Sequence, residues 1–342
     1  MPLAKIALIP SVHGLGGMVS FQERFISGLE QRGITISRDL TDPDVQSALI
    51  IGGTKKISSL LSARRRGVHL VQRLNGMNWL HRVQPTPLRA FLRSEMNNWL
   101  LAFIRRSIVH QIIYQSQFSH WWWVDRFGAL NKPFSVVYNA VDLASYRPST
   151  NLQTPADQIR ILIIEGHMGD FYSSGLKTGI ELANQLHNLT NTQVELVVAG
   201  DVPDHLQKQT FVEEGTRVSY LGIVASSAIP ALTQEVHMLF SADLNAACPN
   251  AVIEALACGL PVIAFETGAL KEMVPETAGA VVPYGSNYWK LEKPDINALA
   301  AAASRIFNEN ARFRIGARQA ALAKFDLDQM LNSYLAALRQ AG

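Results

Sequence analysis

Short apolar runs alternate with amphipathic segments from one end of the chain to the other. That is the sequence form of a parallel sheet covered on both faces by helices. In the first half the pattern predicts strands at Ile6–Val12, Ile34–Ser37, Ser47–Ile51, Val68–Leu74, Ile112–Gln115 and Ser135–Tyr138. The second half repeats the scheme, with strands expected at Arg160–Glu165, Val194–Ala199, Val218–Tyr220, Met238–Ser241, Pro261–Phe265 and Ala280–Val282. Between the two sets Pro148–Gln158, PSTNLQTPADQ, is polar and carries prolines, as an interdomain linker does. Two α/β domains are therefore expected, 1–150 and 151–325. Past Pro294 the pattern is helical to the end, and Asp326–Gln340 is the last predicted helix.

A chain of 342 residues with 48% apolar content suits two domains with sizeable cores. The mean hydropathy is +0.07, and the longest uncharged stretch, Ser107–Val124, is full of Ser, Gln and His, so no bilayer span is expected. The apolar run at Ile6–Val12 is too short for a signal sequence and fits a first strand. Cys248 and Cys258 fall in one predicted helix without metal-like spacing and fit buried thiols in a reducing cytoplasm. Net charge is only +3, yet residues 1–150 carry 18 Lys/Arg against 8 Asp/Glu, while residues 151–342 carry 13 against 20. A first half at +10 suits an anionic partner such as a membrane surface or an acidic glycan, the plain alternative being solvated basic faces. Nucleic acid is not the expected partner. The segment Pro87–His110, with Trp121–Trp123 soon after it, combines aromatic and basic residues as a helix at a membrane surface does, but on a helical wheel Arg106 falls among its apolar positions, so a core helix is favoured and membrane contact is the alternative.

Candidate chemistry concentrates in Ser241–Val274, SADLNAACPNAVIEALACGLPVIAFETGALKEMV. Pro249 suits the first position of a helix that Gly259 and Pro261 end. The backbone N–H groups of Asn250, Ala251 and Val252 would then face a phosphate, and Glu254, one turn in, could accept two ribose hydroxyls. A surface Glu favoured by the helix dipole is the alternative. Earlier, HGLGGM at His13–Met18 follows the first strand, and Gly16 and Gly17 would let backbone approach a phosphate. His13 could hydrogen-bond an acceptor or be a structural histidine. In VQRLNGMNW, Arg73 and Asn75 stand at the end of a predicted strand, where open α/β sheets collect ligands; an interface Arg and a turn Asn are the alternatives.

Taken together, the His13 loop, YQSQFSHWWWVDRFGALNKPFSVVYNAVDLASYRP, VELVVAGD with VSYLGIV, and CPNAVIEALACGLPVIAF resemble, in this order, the retaining family 4 glycosyltransferases. The resemblance implies the GT-B fold, two Rossmann-like domains facing a central cleft, with the final helix, about 326–342, crossing back to the first domain. The first domain would take the acceptor and the second the donor. It implies a nucleoside diphosphate sugar as co-substrate, no cofactor and no metal, and a glycan, lipid-linked or small-molecule acceptor. Cytoplasmic placement is expected, with peripheral contact at the inner membrane face through the basic half. Gly16 and Gly17 would face the donor diphosphate, Gly166, His167, Asp201, Ile223, Val224, Pro249, Asn250, Ala251, Val252 and Glu254 would line the donor, and the departing diphosphate would help take up the acceptor proton. Two departures stand out. Where the family has an Arg and a Lys-Gly pair, this chain has His167–Met168 and Ser174–Gly175, with Lys177 nearby as a substitute. Where an earlier Glu should contact the sugar, it has Ala246, with Asn245 beside it. The alternative readings are a sugar-nucleotide epimerase and a non-catalytic binding subunit.

Overall fold

The computed structural model describes residues 4–14, 16–149, 153–169, 173–208 and 212–339. Leu15 of the first loop, the middle of the expected linker, Asp170–Tyr172 and Gln340 lie outside them. The chain divides into two compact units, Met1–Asn139 with Leu327–Gly342, and Ala140–Asp326.

In the first unit the strands are β1 (Lys5–Ile9), β2 (Thr35–Ser37), β3 (Ser47–Ile51), β4 (His69–Leu74), β5 (Gln111–Tyr114) and β6 (Phe134–Val136). They form one parallel sheet in the order β2-β1-β3-β4-β5-β6. The second unit contains β7 (Gln158–His167), β8 (Gln193–Asp201), β9 (Thr216–Gly222), β10 (Met238–Ser241), β11 (Val262–Phe265) and β12 (Gly279–Val282). These are also all parallel, in the order β12-β11-β10-β7-β8-β9. Every expected strand has its counterpart, and the ends move by local chemistry. β1 stops at Ile9 because Pro10 has no N–H with which to continue the ladder. Each sheet carries its own core, around Ile50, Leu70, Ile104 and Trp123 in the first unit and Ile161, Leu196, Phe240 and Ile263 in the second.

The passage between units falls at Asn139–Ala140, ahead of the polar segment that starts at Pro148. The intervening residues are tied to the second unit by several hydrogen bonds: the Val141 N–H donates to the Phe325 carbonyl at 3.1 Å and the Tyr146 hydroxyl to the Ser226 carbonyl at 3.0 Å. Arg318 donates from Nη1 to the carbonyls of Tyr146 and Ala257 at 2.8 and 2.7 Å, and from Nη2 to that of Leu143 at 3.0 Å.

Within the first unit, helix Leu327–Leu338 packs on helix Gly17–Glu30, which follows β1. The Tyr334 ring lies 5.2 Å from Phe21 and 5.3 Å from Phe25, and the Ser47 hydroxyl donates to the Leu338 carbonyl at 2.6 Å.

The long segment expected from Pro87 to His110 departs from its reading. Its α-helix covers Leu88–Phe103, and a π-helical turn, Ile104–Ile108, follows. The wider turn shifts the phase, so a wheel drawn through Arg106 misplaces it relative to the helix before. The buried positions of Leu88–Phe103 are Asn98 and Ala102, while Leu88, Leu92, Met96, Trp99 and Phe103 are all exposed. The expectation of a core helix is thereby corrected: its large apolar face points to solvent.

Replacing Tyr334 by Ala should destabilise the first unit by about 3–5 kcal/mol, the range for removing a buried aromatic. Denaturant unfolding followed by the first-unit tryptophans measures it, and a loss under about 1 kcal/mol would mean that the last helix is not integral to that core.

Candidate functional site

In the second sheet the strands run in opposite sequence directions on either side of β7 and β10. The loops leaving their carboxyl ends therefore separate and leave a crevice, the place where open α/β sheets hold ligands. The loop after β10 runs into helix Asn250–Ala257. Pro249 is its N-cap, with φ −70° and ψ 122°, and so stands one position before the expected first helical residue. By geometry the first N–H groups of such a helix lack intrahelical acceptors, and here they belong to Asn250, Ala251 and Val252. The first turn holds no acidic residue. Glu254 instead opens the second turn and is buried, at 6% exposure, which removes the reading of it as a solvated helix-end charge. Cys248 and Cys258 are both buried free thiols just outside the helix, and burial pushes the Cys258 thiol up to about 11.

The neighbouring loop tips were harder to foresee. At the end of β7, Gly166 is exposed, and the His167 ring nitrogen Nδ1 lies 2.8 Å from the Asp201 carboxylate at the end of β8. These two residues, each expected to face the donor, thus face one another. Lys177 is exposed on helix Ser173–Thr190, and Ile223 and Val224 follow β9, with Ile223 at 60% exposure. Gly200 is required here: a Cβ on it would lie 2.0 Å from the Glu165 carbonyl oxygen.

Two carboxylates at this edge, Glu165 and Asp243, were not in the expected donor set, and Asn245, expected only as a weaker contact beside Ala246, stands with them. Glu165 ends the run ILIIE and Asp243 follows MLFSA, so each is a carboxylate at the end of an apolar strand, and that is the signal that could have found them. Burial and the nearby Asp243 charge raise Glu165 well above the usual carboxylate range, and burial raises Asp243 to about 7. Neither makes an ion pair with a Lys, Arg or His among the described residues. Asn245 is 4% exposed, has φ 59°, and neither its amide oxygen nor its nitrogen has a hydrogen-bond partner. Ala246 beside it is buried and supplies no polar side-chain atom. A buried amide lacking partners costs stability, and such groups mark places where a ligand or water completes the network.

In the first unit, the loop after β1 lies at that sheet's own reversal point, between β1 and β3. Gly16, at φ 110°, caps helix Gly17–Glu30, and its carbonyl accepts from the N–H groups of Val19 and Ser20. Gln22 holds the loop base by exchanging two 3.0 Å bonds with the backbone of Val12; His13 is exposed. Asn75 is partly exposed, and its carbonyl accepts from the Trp123 indole at 2.7 Å. Arg73 requires a correction. It is 1% exposed, its guanidinium sits 3.7 Å from the Phe21 ring centroid, and it donates to Tyr334 Oη at 3.1 Å and Asn139 Oδ1 at 2.8 Å. It is a core arginine of the first unit rather than a hand held out to a phosphate.

Among the described residues no group of three or more His, Cys, Asp or Glu side chains is placed to hold a metal. The Asp-x-Asp pairs of the chain lie elsewhere: Asp42 and Asp44 meet Lys5 at 2.8 and 3.4 Å, and Asp328 meets Arg32 at 2.6 Å.

Against known proteins, residues 160–309 match the family model of glycosyl transferases group 1. The whole chain superposes on sucrose-phosphate synthase from Thermosynechococcus elongatus with a TM-score of 0.75, at 18% identity, covering 98% of each chain. HepE from Anabaena, solved with UDP and glucose, gives 0.73 at 17% identity over 98% of this chain and 99% of that one. The fold is GT-B. In sequence, 144 residues are 28% identical to a subunit of the phosphatidylinositol N-acetylglucosaminyltransferase of Arabidopsis thaliana, and they make up 41% of this chain and 31% of that protein. The chain thus spans about a third of the length of this curated relative.

The raised Asp243 carboxyl has a measurable consequence. Burial pushes this carboxyl up from its ordinary value of 3.8 to about 7 in the folded second unit. The folded state therefore holds a proton that the unfolded state has shed. Stability is full below about 4 and falls as pH rises to about 7. Asp243→Asn should be more stable than the parent at pH 7 and lose much of that slope. Urea unfolding across pH 4–8 tests this, and an unchanged slope would show that Asp243 ionises normally.

Proposed function

We propose that this chain is a retaining glycosyltransferase that moves a sugar from a nucleoside diphosphate sugar to a glycan, lipid-linked or small-molecule acceptor. The observation that carries the reading is the Pro249-capped helix start followed by the buried carboxylate of Glu254, set at the reversal point of the second sheet. The match of residues 160–309 to glycosyl transferases group 1 covers this segment and supports the same reading.

In this account the N–H groups of Asn250, Ala251 and Val252 take the donor phosphates, and Glu254 takes ribose hydroxyls. Gly166, Asp201, Ile223 and Val224 line the nucleotide, with His167 held in place by Asp201. The charge that builds on the leaving diphosphate is met by fixed backbone dipoles and by Lys177, whose exposed ammonium is free to swing toward it. Gly16 and Gly17 offer backbone suited to a phosphate, and His13 and Asn75 orient the acceptor. Arg73 drops out of the set because its guanidinium is committed to Tyr334 and Asn139. The leaving diphosphate accepts the acceptor proton, so the mechanism calls for neither a side-chain base nor a metal. Asn245 stands in for the missing sugar carboxylate: its orphaned amide oxygen and nitrogen offer an acceptor and donors to sugar hydroxyls. Several of the solved neighbours carry UDP or UDP-glucose, which makes uridine nucleotides the first donors to try. A cytoplasmic enzyme whose basic first half meets a membrane completes the proposal.

The buried alanine at position 246 favours one second reading, a protein that binds nucleotide without turning it over. Calorimetry with UDP and UDP-glucose tests the binding half of the account. Glu254→Gln should weaken both ligands by about 1.5–3 kcal/mol, the value of a charge-assisted hydrogen bond, and equal affinity would remove Glu254 from the site. Asn245→Gly keeps the positive φ and deletes the amide. It should leave UDP affinity unchanged and weaken UDP-glucose by about 1 kcal/mol. Equal loss for both ligands would place Asn245 away from the sugar.

A further inference from the structure

The helix Leu88–Phe103 shows solvent a face that a water-soluble surface does not need. Leu88 is 73% exposed, Leu92 51%, Met96 70%, Trp99 61% and Phe103 47%. At 3.6 residues per turn these five positions fall within an arc of about 80° and extend for about 22 Å along the axis. Scattered exposed apolar residues are ordinary, but five large ones in register on one helix form a patch of the size that marks interaction sites. The stripe is also held rigidly. Trp99 meets Phe127 edge-on at 5.2 Å, Asn98 exchanges two hydrogen bonds with the backbone of Asn78, and Glu95 is fixed by His81 and Arg82.

The exposed charges that this helix itself carries have one sign. Arg89 and Arg93 are exposed and fall on the flank next to it, and Arg106 is exposed in the π turn that follows. The helix has a single acidic residue, Glu95, and its carboxylate is taken up by Arg82 and His81, which hold it at about 2, well below the usual range. No described residue of opposite charge is left on this helix to answer the arginines.

We infer that the face formed by Leu88, Leu92, Met96, Trp99 and Phe103 docks on an anionic lipid bilayer, with Arg89 and Arg93 at the headgroups. An apolar stripe that includes an indole, flanked by arginines, is the composition of a helix lying in the membrane interface plane. Its side chains would enter the headgroup–acyl boundary while the guanidinium groups reach lipid phosphates. No helix of the described residues is long and apolar enough to cross a membrane, so the contact is one of lying on the surface. A second copy of the chain fits this face less well, because pairing the stripe with itself brings the arginines of both copies together. The inference rests on and deepens the membrane contact in the proposed function, and it is independent of the donor site. Vesicle binding without donor binding, or the reverse, tells the two apart.

Co-sedimentation with vesicles of phosphatidylcholine, alone or mixed with phosphatidylglycerol, tests it. The full chain should bind the anionic vesicles at least about tenfold better than the neutral ones and lose most of that binding in high salt. Leu92→Glu with Met96→Glu should cut binding about tenfold or more. Arg89→Glu with Arg93→Glu should abolish the preference for anionic lipid. All four positions are exposed, so the thermal midpoint should stay in place. Failure of the parent chain to sediment with anionic vesicles at low salt overturns the inference, and so does undiminished binding by the Leu92/Met96 pair. A parent that is a dimer, made monomeric by that pair without binding vesicles, would assign the face to a second copy.

Discussion

Close approach of backbone to backbone at the carboxyl edge of the second sheet determines where its chemistry can sit. A Cβ on Gly200 would lie 2.0 Å from the Glu165 carbonyl oxygen, and one on Gly268 would lie 2.5 Å from the Ala246 carbonyl oxygen. Because neither carries a side chain, the ends of β7 and β8 close up and the turn after β11 seats against the loop after β10. The half-buried Asp243 and the buried Asn245 and Ala246 are thereby set in the loop that leads to helix Asn250–Ala257. Carboxyl groups there stay protonated to higher pH, an amide goes without partners, and the helix start offers its N–H groups. Together they form a set of donors and acceptors that suits a polar ligand.

The fold was legible because strands buried on both faces read as compact apolar runs, and the expected bounds of Ser47–Ile51 and Met238–Ser241 are those observed. Pairing and order are set by long-range contacts and leave less trace; the repetition of the pattern carried the two-sheet architecture. The misread elements share a cause, which is that sequence shows a residue type and not the direction of its side chain. Arg73 ends an apolar strand and looked like a ligand contact, but strand alternation turns it onto Phe21 and the last helix. The Leu88–Phe103 helix looked like core because a wheel assumes an unbroken period, and a π turn breaks it.

Within the site, the part built on backbone was legible and the part built on unusual side chains was not. Pro249, Asn250 and Glu254 stand in a recognisable string, and only the cap is misplaced, by one position. Glu165 and Asp243 belong to no string; their oddity is electrostatic and arises only when two strands lie side by side. The same holds for His167 and Asp201, which are far apart in sequence and meet because β7 and β8 pair through their last residues. Under the proposed reading, a donor site assembled in this way would replace the cations expected of the resemblance with a histidine–carboxylate pair and neutral acids, and its specificity would rest on hydroxyl recognition more than on charge.

The central claim is that a site of this composition still transfers sugar. The most direct measurement is mass spectrometry of the purified chain incubated with a panel of nucleoside diphosphate sugars, with lipid-linked and soluble sugar acceptors supplied. The account predicts that one donor is consumed, with nucleoside diphosphate released and the sugar appearing on an acceptor in the anomeric configuration it had in the donor. Binding of a nucleoside diphosphate with no donor consumed, by the chain or by its Ala246→Glu variant, would contradict it.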